Sequence, residues 1–101
     1  MQRVTFVRYT AKADRADENE ALSRAVFAEL RDTAPKHVAY AAFRSGADFV
    51  HVFVNTVSED STALTELPSF KAFSEAASER QVAPPEILRL DLDMIGAYRL
   101  G

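Results

Sequence analysis

The sequence predicts an α+β domain: a four-stranded antiparallel sheet with two helices on one face, in the ferredoxin-like order β-α-β-β-α-β. Three observations carry this. Side-chain character alternates along residues 3–10, 38–55 and 86–94, the period of strands. Between them, residues 17–34 and 68–83 repeat their apolar positions every three or four residues, the period of helices. The stretch 38–55, VAYAAFRSGADFVHVFVN, is broken midway by Ser45-Gly46-Ala47-Asp48, where glycine supplies the permissive backbone of a tight turn. Short connections and right-handed crossovers fold that order most simply into one sheet with both helices on one side.

Along RVTFVRYT, Val4, Phe6 and Arg8 alternate with Thr5, Val7 and Tyr9. Both sets are bulky, which suits a central strand, and spacing alone leaves open which set meets the helices. Asp17-Glu18-Asn19-Glu20 opens the first helix with an acidic turn that complements its dipole, and Asp17 and Glu20 have capping-box spacing with Asp17 as cap. Leu22, Ala25, Val26 and Leu30 form its buried stripe, widened by Phe27, while Ser23, Arg24 and Arg31 fall on the wet side. Pro35 stops it.

In the hairpin, pairing Arg44 with Phe49 sets Phe43 opposite Val50, Ala42 opposite His51, Tyr40 opposite Phe53 and Val38 opposite Asn55. One face is then Ala39, Ala41, Phe43, Val50, Val52 and Val54, wholly apolar, and is expected to carry the helices. The other is Tyr40, Ala42, Arg44, Phe49, His51, Phe53 and Asn55, expected to wall a pocket or an interface. Residues 56–65 are polar and read as a loop, with a turn at 63–66. Pro68 fits the first position of the second helix, with Phe70, Phe73, Ala77 and Val82 as its buried stripe and Pro84-Pro85 as its end. The last strand sets Leu88, Leu90, Leu92 and Met94 against Ile87, Arg89, Asp91 and Asp93.

Such a sheet has a second, bare face, expected to hold Tyr40, Phe49, Phe53, Ile87 and Phe6. Covering half of each aromatic is worth about 2 kcal/mol at ~25 cal/mol per Å². Four or five such residues predict a homodimer, sheet against sheet, enclosing a cavity.

The 101 residues make one domain, 1–101. A net charge of −3 without basic runs argues against an electrostatic grip on nucleic acid or an anionic membrane. The absence of cysteine removes thiolate metal ligands and a thiol nucleophile, and suits a reducing cytoplasm. No window has the apolar length of a membrane span or signal peptide. No Gly-rich phosphate loop, nucleophile elbow or metal-spaced His/Cys set occurs, which argues against nucleotide-dependent and hydrolytic enzymes. The expectation is a soluble, cytoplasmic protein with neither cofactor nor metal.

RYTAKADRADENEALSRAVFAELRDTAP, the strand FVHVFV, LPSFKAFSEAASER with the following PPE, and IGAYR together resemble the dimeric α+β barrel superfamily, nearest the small proteins grouped with antibiotic-biosynthesis monooxygenases. The likeness spans nearly the whole chain and lies in helix-face and turn residues. It implies the dimer and the cavity between sheets, not an activity: the superfamily includes cofactor-independent quinone-forming monooxygenases, haem degraders and isomerases. The monooxygenases and haem degraders use a cavity tryptophan, and this chain has none. The haem degraders also use a histidine on a helix and an asparagine on the first strand; the second helix and first strand here lack both.

His51 is the sharpest candidate for chemistry. Flanked on its face by Phe49 and Phe53, it is expected to be half-buried and neutral, able to take a proton from a phenol or enol as a general base. The structural alternative is packing across the dimer. Asn55 is placed to hold a substrate carbonyl or oxyanion, or to tie off a loop. Tyr40 offers a hydroxyl, Phe49 and Phe53 offer walls, and Arg8 or Arg89 an anchor for an anionic or phenolate ligand. The alternative for Arg89 and Asp91 is ion pairing between subunits. Asp91 and Asp93 alone make a poor metal site, and His37 is expected to be solvated. Two readings follow. One is a cofactor-independent monooxygenase or isomerase for a small aromatic, polyketide-like substrate. The other is a non-catalytic dimer, either binding a small hydrophobic or phenolic ligand without turnover or a stress-type protein whose dimer is its function.

Overall fold

Gln2–Thr10 forms β1, paired antiparallel on one side with β3 (Asp48–Asn55) and on the other with β4 (Glu86–Leu92). The hairpin partner of β3 is β2 (Val38–Ser45), which gives the sheet order β2-β3-β1-β4. This computed structural model describes residues 2–55 and 64–98. The hairpin register is the one the alternation predicts, from Arg44 opposite Phe49 to Val38 opposite Asn55. Gly46, at φ 61°, makes the left-handed step of the turn, a conformation open to glycine at little cost.

One long helix, α1 (Ala16–Thr33), and two shorter ones, α2 (Pro68–Ser74) and α3 (Ala77–Arg80), complete the described elements. The helix α1 starts one residue before Asp17, with Arg15 at the cap position and no side-chain cap, so the expected Asp17 cap is corrected. Asp17 and Glu18 sit in the first turn, and Arg15 pairs with Glu18 at 2.7 Å. Ala34 ends the helix in the left-handed conformation with its N–H donating to the Leu30 carbonyl, and Pro35 bars continuation. The buried stripe is Ala16, Asn19, Ser23 and Val26, with Leu30 packed beside it. Ser23 is therefore inside and Ala25 outside, one notch round from the expected stripe.

Pro68 does open α2. The Ser69 N–H and Oγ both donate to Glu29 Oε1, at 2.9 and 2.6 Å, so a carboxylate of α1 caps α2 and holds the two helices together. The helix breaks at Glu75-Ala76, where Ala76 takes φ 59°, and resumes as α3. Residues 80–82 then run beside 10–12, with Lys12 N–H donating to the Arg80 carbonyl and Val82 N–H to that of Thr10. Val82 is exposed there, not part of a buried stripe. Of the loop expected at 56–65, residues 56–63 lie outside the described residues; 64–66 form a turn.

The sheet is sided in the sense opposite to the one expected. The helices cover the face carrying Tyr9, Tyr40, Phe49, His51, Phe53 and Asn55. Tyr9, Phe49, His51 and Asn55 are buried, Tyr40 packs edge-on against Phe27 of α1, and His51 lies 5.6 Å from the Phe73 ring of α2. The other face is open and reads in rows across the sheet: Ala39, Val54, Val4 and Leu90; Ala41, Val52, Phe6 and Leu88; Phe43, Val50, Arg8 and Glu86. Phe6, Phe43, Leu88, Leu90 and Leu92 are between 38% and 55% exposed on it. The physical reason is volume. Helices stand about 10 Å off a sheet, and that gap is filled by tyrosine and phenylalanine, not by alanine and valine. The pocket placed between two sheets is thereby relocated: those residues face the protein's own helices.

Candidate functional site

A chamber of about 390 Å³ lies between the sheet and the helices α2 and α3. Strands β1, β2, β3 and β4 supply its floor, including Thr5, Tyr40, Phe53 and Arg89, while Phe70, Phe73 and Ala77 roof it. His51, Asn55, Tyr40, Phe53 and Arg89, expected at a site from sequence, are thus brought together, though under the helices and not between subunits. Phe49 is apart. It is 2% exposed and stacks on Tyr9 at 5.4 Å, with the Arg44 guanidinium over its ring, and it lines a separate groove between α1 and β2. Arg8 is also apart, exposed on the open face opposite Val50 and Glu86, because β1 puts its even positions there. In the groove beside Phe49, Arg44 pairs with Asp17 and Glu20, and Arg24 with Glu20.

From behind the chamber wall into its lining runs a chain of buried polar side chains. Arg80 Nε donates to Asn19 Oδ1 at 3.2 Å, and Asn19 Nδ2 donates to Tyr9 Oη at 2.7 Å. Tyr9 Oη lies 2.9 Å from His51 Nε2, and Tyr40 Oη lies 2.6 Å from His51 Nδ1. Both ring nitrogens of His51 are therefore engaged by tyrosine hydroxyls. Burial lowers the His51 pKa to about 4, so the ring is neutral near pH 7. Burial likewise raises both tyrosines, with Tyr9 adding to the shift at Tyr40, and keeps them protonated. At Tyr9 the Asn19 hydrogen bond and the Arg80 charge oppose that rise.

Asn55 is fully buried, and no buried side-chain nitrogen or oxygen among the described residues lacks a partner. Arg3 and Arg89 line the chamber on neighbouring strands. Asp91 is paired with Arg3 at 2.7 Å within one chain, where an ion pair between subunits was expected for Asp91 and Arg89. That exposed pair holds the Asp91 carboxyl below its usual range. His37 is exposed, as expected. Among the described residues no group of three or more histidine or acidic side chains is placed to hold a metal ion, and no helix is long and apolar enough to cross a membrane.

Three members of the chain of polar groups were not singled out from sequence: Tyr9, Asn19 and Arg80. The legible signal was at Asn19. It shares the stripe 16, 19, 23, 26, a helical face that also carries Ala16 and Val26. Neither Tyr9, on a strand with two bulky faces, nor Arg80, after an unforeseen helix break, gave a comparable sign.

No family model matches the chain, and no curated protein matches it in sequence. Solved structures do match its fold. Rv0793 from Mycobacterium tuberculosis superposes with a TM-score of 0.79 at 17% identity, covering 95% of this chain and 100% of that one. A candidate antibiotic biosynthesis monooxygenase from Nitrosomonas europaea gives 0.75 at 17% identity over 99% and 94% of the two chains. SnoaB from Streptomyces nogalater, described as a cofactor-independent oxygenase, gives 0.68 at 13% identity over 92% and 94%. The fold is that of the antibiotic-biosynthesis-monooxygenase-like proteins.

Proposed function

We propose, from this shared fold, that the chain takes a small aromatic molecule bearing phenolic oxygens into the chamber between its sheet and helices and oxygenates it without a cofactor. The observation that carries the reading is an aromatic-walled chamber lined by Tyr40, whose hydroxyl is engaged by a neutral, buried histidine. The description of SnoaB as a cofactor-independent oxygenase supports the same reaction class. An ionised phenol is electron-rich enough to give electrons to dioxygen, and a methylene between aromatic rings then becomes a carbonyl as one oxygen atom is inserted and the other leaves as water. Phe53, Phe70 and Phe73 hold the ring system, and Tyr40 meets the substrate oxygen. Arg89 complements negative charge. Asn55 shapes the chamber end next to Arg3, its β-pair neighbour. His51 is assigned a positioning role through Tyr40, because both its nitrogens are engaged. Oxygen uptake with anthrone-like and quinol substrates tests this: consumption that depends on the protein and falls in Tyr40→Phe supports it, and none with any substrate removes the oxygenase.

A second reading, binding of a phenolic ligand without turnover, is favoured by one observation: among the described residues no uncommitted base faces the chamber near Tyr40. Calorimetric binding of the same compounds without oxygen uptake would select it.

We also propose that a second copy covers the open sheet face. Its three rows hold one charged cross-strand pair, Arg8 and Glu86, in a field of valine, leucine and phenylalanine. Half-covering each of the five large exposed side chains is worth about 1–2 kcal/mol, and an apolar patch of that kind marks an interface.

A further inference from the structure

We infer that Arg80 and Asn19, behind the chamber wall, fix the direction of the entire hydrogen-bond chain, so that Tyr40 presents its proton to the chamber and the site selects the ionised oxygen of a phenol over the neutral form. This rests on the reading of the chamber as a phenol site and adds two positioning residues to it.

The direction follows from what each group can do. Arginine has donors only. With its Nε on Asn19 Oδ1, the amide cannot be turned round without setting its NH₂ against the guanidinium, so Nδ2 faces Tyr9 and donates. The Tyr9 oxygen accepts there. Its own proton points to His51 Nε2, since Asn19 and His51 are the only groups hydrogen-bonded to that oxygen among the described residues. A neutral imidazole carries one N–H. With Nε2 accepting, the proton sits on Nδ1 and donates to Tyr40 Oη. Tyr40's O–H is what the chain leaves for the chamber.

Charge points the same way. Arg80 is 2% exposed, yet its partners are neutral: the Asn19 amide, the carbonyls of Phe73 and Glu75, and the Phe73 ring face 5.2 Å from its guanidinium carbon. No carboxylate among the described residues pairs with it, and a buried cation lacking a counter-charge is destabilising. Among the described residues the charged groups facing the chamber are Arg3, already balanced by Asp91, and Arg89. His51, Tyr9 and Tyr40 are neutral. An anionic oxygen against Tyr40 would complete a donor chain that begins at a buried positive charge, and chains of aligned hydrogen bonds strengthen one another.

Nitrophenols report the result directly, because only the phenolate absorbs near 400 nm. Spectral titration of 4-nitrophenol with the intact protein is expected to show at least about tenfold preference for the phenolate, a bound pKa about one unit below that of the free dye, or ~1.4 kcal/mol. Asn19→Asp is nearly isosteric but accepts at both oxygens. It draws the Tyr9 proton back, moves the imidazole proton to Nε2 and turns a Tyr40 lone pair to the chamber, so the preference is expected to vanish. Tyr40→Phe should abolish it as well. A wild-type protein that binds the dye at its free pKa overturns the inference alone, as does a folded Asn19→Asp that keeps the preference. If Asn19→Asp fails to fold, retention of the preference in Tyr40→Phe overturns it equally. A wild-type protein that binds no nitrophenol overturns the phenol site itself.

Discussion

Tyr9 and His51 stand on neighbouring central strands with their rings 5.4 Å apart and 19° from parallel, and Tyr9 Oη lies 2.9 Å from His51 Nε2. In the β1–β3 register His51 is opposite Val7, so Tyr9 is its diagonal neighbour, within reach because aromatic side chains span that gap. The contact places an imidazole in the interior with hydroxyls, not a carboxylate, for company.

That arrangement makes stability depend on acid. The folded pKa of His51 is lowered to about 4 from 6.5, so the unfolded chain binds the proton more readily than the folded one. The stability contribution is complete above pH 6.5, falls as pH drops from 6.5 towards 4, and is lost below that. The loss reaches about 3 kcal/mol. Urea unfolding at pH 7.5, 5.5 and 4.5 should show this decline, and His51→Gln, which does not titrate, should flatten it.

Tyr40→Phe removes the hydroxyl at the chamber and leaves the ring against Phe27 and Phe53. The expected loss of stability is about 1 kcal/mol, one hydrogen bond. Under the oxygenase reading the rate of oxygen uptake should fall roughly 10²-fold, while the melting midpoint drops by only about 4–8 °C.

Phe49→Ala deletes a side chain that is 2% exposed between the Tyr9 ring and the Arg44 guanidinium. The cavity and lost burial should destabilise the fold by about 3–5 kcal/mol, read from denaturant midpoints at neutral pH.

Phe6 is at the centre of the open face, between Val52 and Leu88. Light scattering should give the wild-type chain twice its 11.2 kDa mass, and Phe6→Glu a single copy. A wild-type monomer at micromolar concentration would remove the proposed dimer.

Much of the fold was written locally. Alternation placed the strands, Gly46 placed the turn and with it the hairpin register, and Pro35 and Pro68 marked an end and a start of helices; each works through a few bonded neighbours. The same alternation gathered Tyr40, His51, Phe53 and Asn55 on one side. Which side met the helices was not local. Period-two spacing is blind to the sign of the face, and the choice fell to the size of the gap and to Asn19 and Arg80, which reach the sheet from α1 and α3 and make burial of a histidine and two tyrosines tolerable. Asn19 is 32 residues from His51 and Arg80 is 29, so only the packed chain brings them into one line of hydrogen bonds.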